Sequence, residues 1–178
     1  MDSVLDRSGS TSPAPISRHV VGPPGLRLYG DYNLVAWQPR GVLDDVMLDQ
    51  IVEWLTPIER VFLSFNRFID FSQLTSVAIR TDHVFEFAQK RAAQFAGHPV
   101  RTGLFCEDWV GFGVARLYES VMENTPIRAR AFRDRSLAAE WLDVPPDVLF
   151  LKDEPGPLDL VGKPFKAKKD TGQQPHQK

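Results

Sequence analysis

The stretch from residue 100 to residue 142, VRTGLFCEDWVGFGVARLYESVMENTPIRARAFRDRSLAAEWL, reads as strand, helix, strand, helix. Val100 to Phe105 is a short apolar run suited to a strand. Asp108 then stands as an N-cap before a helix that carries Trp109, Phe112, Ala115, Val121 and Met122. Ile127 to Phe132 is a second strand, whose Arg128 and Arg130 share one face and point to an exposed edge. Asp134 opens a last helix with Leu137, Ala138, Trp141 and Leu142 on its apolar side. Strands separated by helices imply right-handed crossovers and a parallel sheet.

Working towards the N-terminus, Asp82 reads as the cap of a helix bearing Val84, Phe85, Ala88, Ala92 and Phe95, closed by Gly97-His98-Pro99. Phe71 to Ile79 has a helical pattern. Val61 to Phe65 is a nearly continuous apolar run, expected for a strand covered on both faces. Leu43, Val46, Met47, Ile51, Trp54 and Leu55 recur at helical spacing. Asp44 and Asp45 lie in the first turn, and Pro57 is the expected stop. Leu26 to Tyr29 and Leu34 to Trp37 form a hairpin around Gly30-Asp31. The expected order is β-β-α-β-α-α-β-α-β-α. This is an α/β fold with a mostly parallel central sheet of about five strands and four to five helices.

The chain has 178 residues, a formal net charge of −2 and one cysteine. Residues 25–144 carry thirteen basic and sixteen acidic residues, for a net −3, and twelve of the thirteen are Arg. Six of the seven lysines lie beyond Val144, so the composition breaks there. Residues 1–24 are rich in Ser, Pro and Gly and are expected to be disordered. Residues 145–178 are expected to be an extended or flexible tail, with Val148 to Leu151 able to dock back on the domain. The negative domain argues against a nucleic-acid partner, which requires several phosphates to be neutralised. A single cysteine excludes an intrachain disulfide. No apolar run reaches the ~20 residues that span a bilayer, and no secretory core stands at the N-terminus. The expected setting is cytoplasmic, with no membrane partner. The basic tail Lys163 to Lys169 reads as a solvated terminus.

A family becomes recognisable from these elements. Phe68-Ile-Asp-Phe-Ser-Gln-Leu74 resembles the signature of STAS domains, the fold of anti-sigma-factor antagonists, in which a strand ends in Asp-Ser-Ser-Gly-Leu and a helix begins. Arg101-Thr-Gly-Leu-Phe105, Gly113-Val-Ala-Arg-Leu-Tyr-Glu119, Arg128 to Asp134 and Ala138-Ala-Glu-Trp-Leu142 are similar to the C-terminal half of the diverged SpoIIAA-like group. The resemblance covers most of residues 25–144. It implies a non-catalytic regulatory module that binds a protein partner and is switched by phosphorylation of Ser72, the match to the family's phosphoacceptor. Phe71 and Gln73 depart from the signature. On the residues alone, Ser72 would lie at a helix N-terminus, which favours an added dianion. Asp70 or Ser72 acting as a plain cap is the other reading.

In a parallel sheet, functional groups gather beyond the carboxyl ends of the strands. Arg40, Gly41, Asp70, Ser72, Cys106, Asp108, Arg133 and Asp134 are the candidates for that binding surface. Asp70, Asp108 and Asp134 each follow a strand and would suit Mg²⁺, but Asp108 and Asp134 read better as N-caps, so no metal site is assigned. Cys106 precedes a helix start, yet Glu107 and Asp108 oppose its ionisation. His98 begins the strand that Cys106 follows, on the order of 25 Å away, so the two form no dyad. Gly111-Phe-Gly113 lies inside a helix at the wrong spacing for a dinucleotide fingerprint, and helix–sheet packing accounts for it. No cofactor is expected. The four tryptophans read as core.

Two rival classes remain on the sequence. STAS-like folds resemble the CRAL-TRIO lipid-binding fold in outline, which implies a small-molecule or lipid site lined by Phe85, Phe95 and Phe112. The other is a hydrolase or thiol enzyme using Cys106 and Asp108. A helix-mediated homodimer is compatible with the Arg-bearing edge.

Overall fold

The pleat of a β-strand sends successive side chains to opposite faces, and here both faces are apolar. Val35, Trp37, Ile69 and Leu104 join one buried cluster, while Leu34, Ala36, Phe68 and Phe105 join another. A sheet of this kind has to be covered on both sides. The computed structural model describes residues 25–61, 64–95 and 98–151, and shows how the cover is supplied. The N-terminal segment 1–24, most of the tail and its lysine-rich stretch lie outside the described residues.

Five strands form the main sheet. β1 (Leu26–Tyr29) pairs antiparallel with β2 (Leu34–Trp37), through a 3-10 turn at Gly30–Tyr32 that Asn33 closes in the left-handed conformation. β4 (Asn66–Asp70), β6 (Val100–Phe105) and β7 (Ile127–Phe132) follow in parallel, giving the order β1-β2-β4-β6-β7. A second, two-stranded parallel sheet pairs β3 (Gly41–Asp44) with β5 (Leu74–Ala78). Helices α1 (Asp45–Val61), α2 (Thr81–Gln94) and α3 (Trp109–Met122) cover the face of Trp37, Ile69 and Leu104. Helix α4 (Arg135–Leu142) and a 3-10 turn at Pro146–Leu149 cover the face of Phe68 and Phe105. Gly103 on β6 makes room for this second layer: a Cβ there would stand 3.2 Å from Leu142 Cδ1.

The α/β class and the mostly parallel five-stranded sheet are as expected, and β6, β7 and the hairpin strands keep their expected bounds. Other elements differ. Pro57 does not stop α1, which continues to Val61, and the strand expected at Val61 to Phe65 begins instead at Asn66. Buried Leu48, Ile51, Val52, Leu55 and Ile58 form one stripe that runs past the proline. Pro57 and Glu53 are both exposed, so water can take the carbonyl that loses its bond. The helix expected from Phe71 to Ile79 is a three-residue 3-10 turn followed by β5, because the β-branched Thr75 and Val77 find a partner strand in β3. β3 itself was not foreseen. Asp82 is not the cap of α2; Arg80 holds that position, and Asp82 lies in the first turn.

The folded unit passes Val144 and reaches Leu151. Val144, Val148, Leu149 and Leu151 are buried with Phe68, Phe105 and Leu142. Truncating Leu149 to Ala removes a fully buried side chain and should cost about 2–4 kcal/mol in urea unfolding. A loss below about 0.5 kcal/mol would mean that the 146–151 segment does not pack in solution.

Candidate functional site

Residue parity decides what meets at the carboxyl ends of β2 and β4. Gln38 continues the side-chain row of Leu34 and Ala36, and Asp70 that of Phe68, so both face the α4 layer. Asp70 is wholly buried. Its Oδ1 accepts the Ser72 backbone N–H at 2.9 Å. Its Oδ2 accepts Gln38 Nε2 at 3.2 Å and Arg135 Nη2 at 2.8 Å. Gln38 Nε2 and Arg135 Nη2 also reach Ser72 Oγ, at 3.3 and 3.2 Å. Both acceptor oxygens of a buried carboxylate are therefore satisfied, as burial of a charge requires.

Arg135 is the first residue of α4, directly after the Asp134 cap. Its guanidinium stacks on Phe105 at 3.8 Å from the ring centroid and lies 5.4 Å from that of Phe150. Nη1 stands 3.5 Å from Glu107 Oε1, while the buried Nε has no hydrogen-bond partner among the described residues. Gln38, Asp70, Ser72, Gln73, Glu107, Arg135 and Phe150 border an open cleft of ≈ 290 Å³. Gln38 and Arg135 were missed in the sequence. Arg135 was hidden because Asp134 beside it already explained the helix start, and Gln38 carries no motif.

The remaining candidates occupy different places. Asp108 is the N-cap of α3, accepting Gly111 N–H at 2.7 Å. Asp134 caps α4 through Ser136 and Leu137 N–H. Gly111 permits the α3 cap, since a Cβ there would stand 2.8 Å from Asp108 Oδ2; nothing lies within 4 Å of the corresponding position at Gly113. The proposed helix–sheet role of this pair is thus corrected. Arg40 is exposed, and Gly41 opens β3 with φ +88°. Ser72 is half-buried in a 3-10 turn with its N–H committed to Asp70. Ser72 starts no α-helix, and its Oγ meets Arg135 Nη2, from the first residue of α4, at 3.2 Å.

Cys106 is buried. Burial, then the charges of Asp108 and Asp70, push its thiol up to about 12. The thiol is therefore held in its protonated form at neutral pH. Among the described residues, no group of three or more His, Cys, Asp and Glu side chains is placed to hold a metal.

The tryptophans do not all lie in the core. Trp37 is buried, with Trp54 edge-on to it, but Trp109 is 71 % exposed. Arg133 stacks on the Trp109 ring at 3.7 Å and donates from Nη2 to the Glu107 carbonyl at 2.8 Å. Glu107 thus links this stack to Arg135. Val110, Leu137 and Phe150 are further exposed apolar side chains at this end of the molecule. A groove runs from Trp109 along β7 to Trp141, and Arg101, Arg128, Arg130 and Arg133 face it, with Glu140 the one acid among its described lining residues. At the β7 edge, Glu119 Oε2 accepts the Ala131 N–H at 2.8 Å.

No family model matches the chain, and no curated protein does. Among solved structures it is similar to an uncharacterised DUF3478-family protein with a SpoIIAA-like fold from Shewanella loihica PV-4. Identity is 17 %, the match covers 61 % of this chain and 83 % of that one, and the TM-score is 0.41. The fold name is the one the sequence motifs suggested. No residue role comes with a likeness at this level. Among the described residues, no helix is long and apolar enough to cross a membrane.

Two measurements probe the site. Arg135→Met leaves the Asp70 charge buried without its cation and should cost about 3–5 kcal/mol, with part regained on adding Asp70→Asn; a loss under about 1 kcal/mol would show the pair to be dispensable. Iodoacetamide should label Cys106 at least about 100-fold more slowly in the folded chain than in concentrated urea. The thiol's folded value lies above its unfolded value of about 8.5, so its stabilising share is intact below that pH and is lost as pH rises towards about 12.

Proposed function

We propose that this chain is a non-catalytic interaction module whose docking surface is the groove between α3, β7 and α4. The single observation that carries this reading is the exposed Trp109 ring held flat under the Arg133 guanidinium. Tryptophan and arginine dominate the energetics of protein interfaces, and an exposed tryptophan pre-organised by stacking loses little entropy on docking. Four arginines against one glutamate select an acidic segment, with its apolar side chains set against Trp109 and Leu137. Glu119 already occupies the Ala131 N–H, which favours recognition by side chains over strand addition. The non-catalytic part of the reading is supported by Asp108 and Asp134, whose carboxylates are engaged as caps, and by the protonated Cys106.

Ser72 is the regulatory position in this reading. A phosphate on its Oγ would meet Arg135 Nη2, now 3.2 Å away, and compete with Asp70 for it. Drawing Arg135 outwards would disturb its ion pair with Glu107, whose carbonyl accepts from Arg133, and so the Arg133–Trp109 stack of the docking surface.

Affinity purification from the native organism, with intact-mass measurement of the bait, identifies the partner and any phosphate. Binding of the purified partner should fall at least about tenfold in Trp109→Ala and in Arg133→Ala, with the folded state unchanged. Full affinity in the double variant would overturn the docking surface. Ser72→Ala and Ser72→Asp should differ in partner binding, and equal binding would remove the switch.

A further inference from the structure

The face of the sheet under α1–α3 holds two cations and one acid out of water. Arg67 on β4 and Arg91 on α2 are both almost wholly buried, and Glu59 on α1 lies between them. Glu59 receives Arg91 through both terminal nitrogens, but receives Arg67 through Nη2 alone, at 2.6 Å. The cluster therefore carries one positive charge in excess. Desolvation accordingly lowers the Arg67 pKa, despite Glu59. Desolvation also raises the Tyr118 phenol, which stays neutral and supplies no anion. A buried charge without a full counter-charge is costly unless something else answers it.

Two polar atoms mark where the answer would come from. Arg67 Nη1 and Thr102 Oγ1 are buried and have no hydrogen-bond partner among the described residues. Arg67 and Thr102 are register partners on adjacent parallel strands, so their side chains stand next to each other on the same face. Both line a cavity of ≈ 70 Å³ whose other walls include Trp37, Ile51, Leu55 and Ala115. Phe71, Leu74, Ile79, Val114 and Tyr118 are the half-buried residues of its lining. At about 10–15 Å³ for each water-sized place, the space suits a ligand of at most about five to seven non-hydrogen atoms.

We propose that this cavity is a binding site for a small apolar monocarboxylate. The carboxylate accepts from Arg67 Nη1 and Thr102 Oγ1, and the apolar body lies among the side chains of β2, α1 and α3. A single negative charge neutralises the excess on the Arg67–Glu59–Arg91 cluster, and the two oxygens satisfy the two orphan donors together. A neutral ligand of the same shape would fill the cavity but leave the charge unanswered. None of Phe85, Phe95 and Phe112 lines it: Phe85 is exposed, Phe95 packs beneath Arg67 at 5.0 Å, and Phe112 contacts Trp109. The site is separate from the Trp109–Arg133 groove and does not depend on it.

The test titrates the full-length chain with sodium butyrate, sodium isovalerate and 3-methylbutan-1-ol, followed by saturation-transfer NMR and thermal unfolding. Butyrate or isovalerate should bind saturably and raise the unfolding midpoint, with 3-methylbutan-1-ol at least about tenfold weaker. Thr102→Val should weaken isovalerate about three- to tenfold. Ala115→Met fills the cavity, leaves Arg67 and Thr102 in place, and should abolish binding. Arg67→Met should erase the preference for isovalerate over 3-methylbutan-1-ol; if it does not fold, the other two variants still decide. Trp109→Ala and Arg133→Ala should leave isovalerate binding unchanged, which separates this site from the docking surface. The proposal is overturned by no saturable binding of either carboxylate, by 3-methylbutan-1-ol binding as well as isovalerate, or by full binding in Ala115→Met.

Discussion

The buried carboxylate of Asp70, answered by Arg135, is the constraint around which the strand-end surface is arranged. Asp70 ends β4 with no solvent around it, so it needs donors on every open side. Ser72 N–H, Gln38 and Arg135 supply them from the same strand's exit, from the end of β2 and from the start of α4. One charge thus fixes the relative positions of three separate chain segments. It also seats Arg135 on Phe105 and Phe150, which places the far end of the described chain against the sheet.

The opposite face solves a similar problem less completely. There Arg67 has a partner in Glu59 but shares it with Arg91, and Thr102 beside it has none among the described residues. The two faces of β4 therefore differ in kind. Asp70 is closed by the protein's own groups, while Arg67 turns Nη1 to a buried cavity. A fully satisfied polar cluster rigidifies its surroundings, whereas an unpaired buried donor is costly.

How much of this was legible in the sequence varied with the signal available. The C-terminal half was read closely because Asp108 and Asp134 are side-chain caps and Val100 to Phe105 and Ile127 to Phe132 are compact apolar runs. The N-terminal half was harder. Pro57 is a local stop signal, but the burial of Ile58 and Leu55 across it outweighs one lost hydrogen bond. β5 could not be recognised without β3, because a two-stranded parallel pair is specified by two segments about thirty residues apart and not by either alone. Periodicity groups Trp109 with core side chains, because it gives a helix its apolar side but does not say which residues of that side a neighbouring element will reach. Asp70 and Ser72 were found from a signature, whereas their partners Gln38 and Arg135 are joined to them only by the fold.

The bond from Ala131 to Glu119 has a consequence for how the protein behaves when crowded. β7 is an outer strand of the main sheet, and its free backbone donors form a template on which a neighbouring chain could polymerise. Glu119 consumes one of those donors, and the outward Arg128 and Arg130 add repulsion between like edges. A helix side chain laid over a strand margin in this way acts as a guard against fibril growth. Its loss would be felt first in colloidal behaviour at high concentration, before any change in the folded monomer.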